Sequence, residues 1–330
     1  MRRFGKGLGR ALLALGLVGA GLWRFGPYEV VDFRASFEPR RFGEGVQVYF
    51  ESIESRFTDI TPGTEKRVIW RDGFKEQRTP VSVLYVHGFS ATSEEIRPVP
   101  DRVAEALGAN LVFTRLRGHG RSGEAMAQAT VNDWMMDLAE GLAAARQVGE
   151  RVVVIATSTG AALATAAALD AELSRQVAAM IFVSPNYRIN NPLTPLLTLP
   201  AARYWLPPLA GSQRSFPARN GDHATYWTNS YPSVAVLPMA ALVDKVAKLD
   251  LGPIRIPALF WLSQQDRVVR PDLSVEIAGR WGGAVSIQTV NLGAGDDPNA
   301  HVIAGEIMSP GQTDAAVLGF LKWLKEQGIE

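Results

Sequence analysis

An α/β fold built on a largely parallel sheet is what this chain predicts, and three observations carry the expectation. Short apolar runs suited to buried strands recur at residues 81–88, 111–114, 151–156, 178–183, 258–262 and 285–290, with stretches of helical spacing between them. That alternation is the signature of parallel strands joined by crossover helices on both faces of a sheet. One of the runs, Arg151 to Ile155, leads into Ala156-Thr157-Ser158-Thr159-Gly160 and then a small-residue segment to Leu169, which reads as strand, sharp turn and helix. A composition of 47% hydrophobic and 20% charged residues over 330 positions suits one sizeable globular domain behind a leader.

The elements follow in chain order. Arg2, Arg3, Lys6 and Arg10 precede an uncharged run from Ala11 to Trp23, the pattern of a secretory n-region and h-region, so residues 1–26 read as an export signal or membrane anchor. Thirteen residues at helical rise reach only about 20 Å, so a full span of the roughly 30 Å hydrocarbon core needs help from snorkelling flanks such as Arg10 and Arg24. Val18-Gly19-Ala20 offers a small-residue cleavage site. The charge bias keeps the N-terminus cytoplasmic, so the chain is expected to be exported or held at the inner membrane with its main domain on the periplasmic or extracellular side.

Residues 27–65 form an extension with helical character from Gly43 to Phe57 and a turn at Thr61-Pro62-Gly63-Thr64. The core is expected over 66–185 and 254–330. A first strand falls at Arg67 to Trp70, a helix with proline in its first turn at Pro100 to Leu107, and a helix at Val131 to Gln147 capped by Thr130. Positions 131, 134, 135, 138 and 142 give that last helix one apolar face. The closing helix, Thr313 to Glu326, gathers Val317, Phe320, Leu321 and Leu324 on one side. Residues 186–253 are too long for a structureless connection and are expected to form an inserted helical cap, ending in a helix over Val234 to Lys248. Leu193, Leu196, Leu197, Leu199, Tyr204, Trp205, Leu206 and Leu209 supply its apolar surface, which either faces a site or packs the cap onto the core.

Chemistry is carried by a few residues. Ser158 at the bend of a strand-turn-helix is placed as a nucleophile, with Ala156 standing where a G-x-S-x-G motif has its first glycine. A hydroxyl needs a base, and of four histidines only His301 lies late enough in the chain for the order Ser, Asp, His. His87 and His119 sit in glycine-flanked loops after strands, His87 reading as a loop-ordering residue, and His223 sits in a polar segment. Asp266, just after the strand Ala258 to Leu262, is the favoured carboxylate for orienting the imidazole, with Asp297 in reserve.

At these residues, together with His87-Gly88-Phe89-Ser90 and Arg117-Gly118-His119-Gly120-Arg121-Ser122-Gly123, the chain resembles the α/β-hydrolase superfamily. The likeness is to its capped bacterial esterases and monoacylglycerol-lipase-like or lysophospholipase-like members, over about residues 66–327. It implies the α/β-hydrolase fold, a triad of Ser158, Asp266 and His301, and oxyanion donors at the backbone N–H groups of Phe89 and Thr159. Ala156 for the usual glycine, and Gln264-Gln265 before Asp266 where a glycine is common, are the departures. The expected reaction is acyl transfer from a carboxylic ester, lipid-like and of medium or long chain, to water. Thioesterase, peptidase and acyltransferase chemistry share the triad, and a membrane-tethered binding protein of the same fold without turnover is the alternative of a different kind.

Other classes find no support. Lysines and arginines number 34 against 33 acidic residues, which leaves no basic footprint for nucleic acid. Without cysteine there is no disulfide framework or thiol nucleophile, and no metal-ligand spacing such as H-E-x-x-H is present. No cofactor, metal or protein partner is expected; the partners are an ester substrate and, through the leader, a membrane.

Overall fold

The computed structural model describes residues 2–73 and 75–330 and, within the first helix, side chains from Gly9 onward except Ala11 and Leu15. Its centre is a seven-stranded sheet in the order β1-β3-β2-β4-β5-β8-β9, formed by Arg67–Ile69, Asn110–Phe113, Thr79–Val86, Gly149–Thr157, Val177–Val183, Ala258–Leu262 and Val285–Thr289. Every neighbouring pair is parallel except the edge pair β1 and β3. The order reverses at β2 and β4, and in open α/β sheets such a switch point leaves a crevice beyond the carboxyl ends of the strands. Ser158 sits there, one residue past β4.

Alternation along the strands divides the core in two. Leu84, Val86, Val152, Val154 and Ala156 point to one face, packed by Trp134, Met135, Leu138 and Leu142 of α5 (Val131–Val148) and by the alanine-rich α6 (Thr159–Ala167). Val83, Tyr85, Val153 and Ile155 point to the other, under α3 (Val99–Ala106) and Ala316, Val317 and Phe320 of α11 (Thr313–Glu326). Burial on both faces explains why the strands read as continuous apolar runs. Thr130 caps α5 in a reciprocal box with Asp133, as its position in the sequence predicts. A helix over Pro271–Arg280, α10, follows β8, an element beyond those expected.

The extension after the leader is ordered. Its helix α2, Val46–Glu54, is fixed to the core by Glu54, whose two carboxylate oxygens each accept from Arg115 at 2.7 Å. Residues 27–37 run as an extended strap, with Val31, Phe33, Ala35 and Phe37 against the core. The inserted segment holds α7 (Ala202–Ala210), α8 (Gly221–Tyr226) and α9 (Val236–Val246), and beside these helices a small antiparallel ribbon, β6 (Gln213–Ser215) with β7 (Ser230–Pro232). The cap is therefore mixed where a helical one was expected. Its apolar residues divide: Leu206 is buried and Leu197 and Trp205 pack onto the core, whereas Leu193, Leu196, Tyr204 and Leu209 are exposed.

The leader forms α1, Arg2–Phe25, with Leu12, Leu13, Leu17, Val18, Leu22, Trp23 and Phe25 exposed. Among the described residues no helix is long and apolar enough to cross a membrane, so the reading of residues 1–26 as a spanning anchor gains no support from the fold. The side chains of Arg2, Arg3 and Lys6 lie outside the described ones.

Candidate active site

The turn after β4 holds Ser158 at φ 51° and ψ −113°, a backbone region that side chains rarely adopt. Such strain is tolerated where the surroundings enforce it, and here the Ser158 N–H donates to the Val183 carbonyl at 3.0 Å while its own carbonyl accepts from Asn186 at 3.1 Å. Gly160 shows why the motif demands a small residue after the serine: a Cβ there would lie 2.4 Å from the Val86 carbonyl oxygen and 2.6 Å from that of His87. Ala156 occupies the first small position fully buried in register with Val86, so its methyl is accommodated inside the sheet.

Two far-apart loops meet at this turn. His301 Nε2 lies 3.1 Å from Ser158 Oγ, and His301 Nδ1 lies 2.8 Å from Asp266 Oδ2. With Nδ1–H donating to the carboxylate, Nε2 is left as an acceptor for the serine hydroxyl. Asp266 is in turn held by the N–H groups of Val268 and Val269, which donate to its Oδ1 at 2.8 and 2.9 Å. Burial alone pulls the His301 pKa down, but the carboxylates of Asp266, Glu95 and Asp297 outweigh it and leave the imidazole above its ordinary value. Asp297, the reserve candidate, does not touch the imidazole. Its Oδ2 instead accepts from the backbone N–H groups of His301 at 3.1 Å and Val302 at 3.0 Å, which sets the loop that carries the imidazole.

Phe89 follows β2 and Thr159, next to the serine, opens α6, which brings both residues expected to supply oxyanion donors to the carboxyl ends of β2 and β4. Among the described residues neither N–H has a protein acceptor. The peptide that carries the Phe89 N–H is held from its other end. Leu116 N–H donates to His87 Nε2 at 3.1 Å, which places the ring proton on Nδ1, and Nδ1–H donates to the Gly88 carbonyl at 2.9 Å. His87 is thus a loop-ordering residue in the geometry, and its burial beside His119 keeps its pKa well below the ordinary value.

The Arg117 to Gly123 loop serves as a floor. His119, pushed down to about 4 by burial, stacks edge-on with Phe89 and Trp134, and Phe89 also meets Tyr231 of the cap at 5.5 Å between ring centres. His223 lies in the cap, accepting from Arg219 N–H at 3.0 Å and set against Phe216 and Trp227. Nearby, a cavity of about 710 Å³ opens where Gln265, Arg267 and the 292–300 loop face Arg219, but neither Ser158 nor Phe89 lines it. Among the described residues no group of three or more His, Asp or Glu side chains could hold a metal ion. Two polar residues of the site had no signal in the sequence: Glu95, whose carboxyl is buried against the Gly88 N–H, and Tyr85, whose hydroxyl it meets. A Glu94-Glu95 pair in a loop reads as solvated charge, and only the fold turns one of the two inward.

A mostly parallel sheet with a strained serine after its fourth strand and a histidine and aspartate on later loops defines an α/β-hydrolase. A family model described as serine aminopeptidase, S33 (Hydrolase_4) matches residues 77–291, and the chain belongs to that family. The thermostable monoacylglycerol lipase of Bacillus sp. (strain H-257) is 29% identical over 204 residues, covering 60% of this chain and 75% of that one. Among solved structures, one from work on the metagenome-derived lipolytic enzymes LipS and LipT superposes with a TM-score of 0.61 at 19% identity, covering 81% of this chain and 99% of the other. A soluble variant of monoglyceride lipase from Saccharomyces cerevisiae gives 0.60 at 11% identity over 80% and 91% of the two chains. These likenesses to solved structures are likenesses of fold.

Proposed function

We propose that the protein is a carboxylic ester hydrolase acting on lipid-like esters, monoacylglycerol-lipase-like in its chemistry. The contact that carries the reading is the 3.1 Å approach of His301 Nε2 to Ser158 Oγ, backed by Asp266 at 2.8 Å on the opposite nitrogen. In this mechanism His301 takes the serine proton as Oγ adds to the ester carbonyl. The Phe89 and Thr159 N–H groups receive the oxyanion, and Asp266 steadies the imidazolium. The imidazolium returns its proton to the leaving alcohol, and water releases the acyl group by the same steps in reverse order.

The family description as serine aminopeptidase raises amide cleavage as a second reading. An aminopeptidase has to hold a free α-ammonium group with an anionic or polar partner. The three carboxylates of the site, Glu95, Asp266 and Asp297, are all engaged by internal donors, which favours the ester. The relationship to a monoacylglycerol lipase and the exposed apolar cap residues support a medium or long acyl chain. The test is a series of p-nitrophenyl and monoacylglycerol esters of rising chain length, run beside thioester and aminoacyl-anilide analogues with Ser158→Ala as background. Turnover of the esters above that background is expected; turnover of the anilides alone overturns the reading in favour of the peptidase.

For location we propose that the leader holds the enzyme at a lipid surface, exported or at the inner membrane with the catalytic domain on the periplasmic or extracellular side. Support comes from the basic residues that precede the apolar run and from the exposed Leu13, Leu17, Trp23 and Phe25. Replacing Leu13 and Leu17 by glutamate should release the protein from the membrane fraction with its esterase activity intact. Unchanged fractionation of that variant counts against the proposal.

A further inference from the structure

We propose that Glu95 is a positioning residue for acyl transfer, its carboxyl locking the oxyanion loop to the nucleophile turn. The inference rests on the serine hydrolase reading above.

Glu95 is 3% exposed and lies between the two halves of the site. Its Oε2 accepts from the Gly88 N–H at 2.7 Å and from the Tyr85 hydroxyl at 3.0 Å. Tyr85 Oη lies a further 3.1 Å from Thr157 Oγ1. Tyrosine has one proton to give, so when it donates to the carboxylate the Thr157 hydroxyl donates to Tyr85. The chain of bonds therefore runs from Thr157, the residue before the nucleophile, to Gly88, the residue before the Phe89 donor.

Packing makes the lock stiff. A methyl group on Gly88 would sit 2.7 Å from Glu95 Oε1 and 3.1 Å from Ser158 Cβ, so the carboxyl, the loop and the nucleophile are stacked with no room for one carbon between them. The two peptides leading to Phe89 are both fixed, the first through its N–H by Glu95 and the second through its carbonyl by His87. In a planar trans peptide the N–H points opposite to the C=O, so these bonds fix the direction of the Phe89 N–H before any substrate arrives. Preset donors of this kind stabilise developing charge without reorganising.

The carboxyl also acts on the base. Burial, countered in part by the Gly88 and Tyr85 donors, brings the Glu95 pKa up to about 7, and His301 from the loop after β9 interacts with it electrostatically. The groups bonded to it are the Tyr85 hydroxyl of β2 and the Gly88 N–H, with the His301 imidazole within electrostatic reach; Glu94, its chain neighbour, is turned away into ion pairs with Arg67 and Arg97. Ionised Glu95 favours the imidazolium and so raises the pH at which His301 becomes a competent base.

Glu95→Gln keeps an acceptor for Gly88 and Tyr85 but removes the charge, and Glu95→Leu removes both. Expected for Glu95→Gln is a kcat within about threefold of the parent, with the acid limb of kcat/KM moved to lower pH. Expected for Glu95→Leu is a kcat lower by roughly 10- to 100-fold at little-changed KM, with the fluorophosphonate labelling rate of Ser158 falling alongside. Should Glu95→Leu not fold, Tyr85→Phe removes the hydroxyl that joins Glu95 to Thr157 and leaves the Gly88 bond to Glu95 in place, and is expected to lower kcat less, again at little-changed KM. Parental kcat and labelling rate in folded Glu95→Leu, or in Tyr85→Phe where that variant stands in, overturn the proposal, as does an unmoved acid limb in Glu95→Gln. Labelling responds to positioning whatever the natural substrate, so a parent protein that is labelled but hydrolyses no ester refutes the substrate assignment and leaves this comparison decisive.

Discussion

The nucleophile corner and the cap obey different rules. Around Ser158 almost every group that fixes position is buried and hydrogen-bonded: Asp266 by two backbone donors, Asp297 by the backbone of His301 and Val302, Glu95 by Gly88 and Tyr85. The cap meets that corner through the bonds from Asn186 N–H to the Ser158 carbonyl at 3.1 Å and from Thr228 N–H to the Ser90 carbonyl at 2.8 Å and the packing of Tyr231 on Phe89. Beyond these it leaves Leu193, Leu196, Tyr204 and Leu209 in the open. A buried polar network tolerates little, because each donor left unpaired carries its full desolvation cost, whereas exposed apolar residues shift with small consequence. Substitutions in the corner should therefore act on kcat, and substitutions in the cap on which substrate is taken.

The hardest way to break this contrast is at the triad. Asp266→Asn keeps the shape but no longer fixes the proton on Nδ1, so kcat for an ester should fall by roughly 10⁴-fold with the circular dichroism spectrum unchanged. A loss below tenfold would remove Asp266 from the mechanism. Gly160→Ala comes next: its methyl meets two carbonyl oxygens of the neighbouring strand end, and destabilisation of about 1–3 kcal/mol in chemical unfolding is expected together with reduced kcat. Unaltered stability would show that the turn is less tightly packed than its distances require.

Acidity sharpens the comparison. His301 must be neutral to act, so kcat/KM should fall as pH drops through its raised pKa, above the 6.5 of an ordinary imidazole. Stability runs the other way. A pKa higher in the folded state than in the unfolded one gives a contribution that is complete below the unfolded value and vanishes as pH rises through the folded value. For Glu95 the window lies between 4.5 and about 7. Unfolding midpoints measured from pH 5 to 8 should show this loss in the parent and less of it in Glu95→Gln; equal slopes count against it.

The smallest effect is expected where the strap meets the cap. Arg203 pairs with Glu29 at 2.8 Å through Nε, and the Ala201 N–H donates to the Pro27 carbonyl at 2.7 Å. Arg203 is 38% exposed, so Arg203→Ala should change stability by less than about 1 kcal/mol and leave kcat for a short ester intact. A tenfold fall in kcat would mean that the strap governs the corner after all.

The sequence by itself determined the sheet and singled out Ser158, Asp266 and His301, which the fold brings within hydrogen-bond distance. Runs such as Val152 to Ile155 are apolar because both faces of β4 are covered, and a small residue two positions after a serine is dictated by the close pass of a neighbouring strand. Chain order chose His301 among the histidines, since the hydrolase arrangement places the base last. The helix α10, the ribbon in the cap and the split of the cap leucines into packed and exposed were not legible, because short mixed-polarity segments take their form from what they land on. Glu95 is the clearest case of what only the tertiary structure decided. Beside Glu94 it is indistinguishable by type or spacing, and its inward turn depends on Tyr85, Gly88 and Thr157, which come together only once β2 and β4 lie side by side.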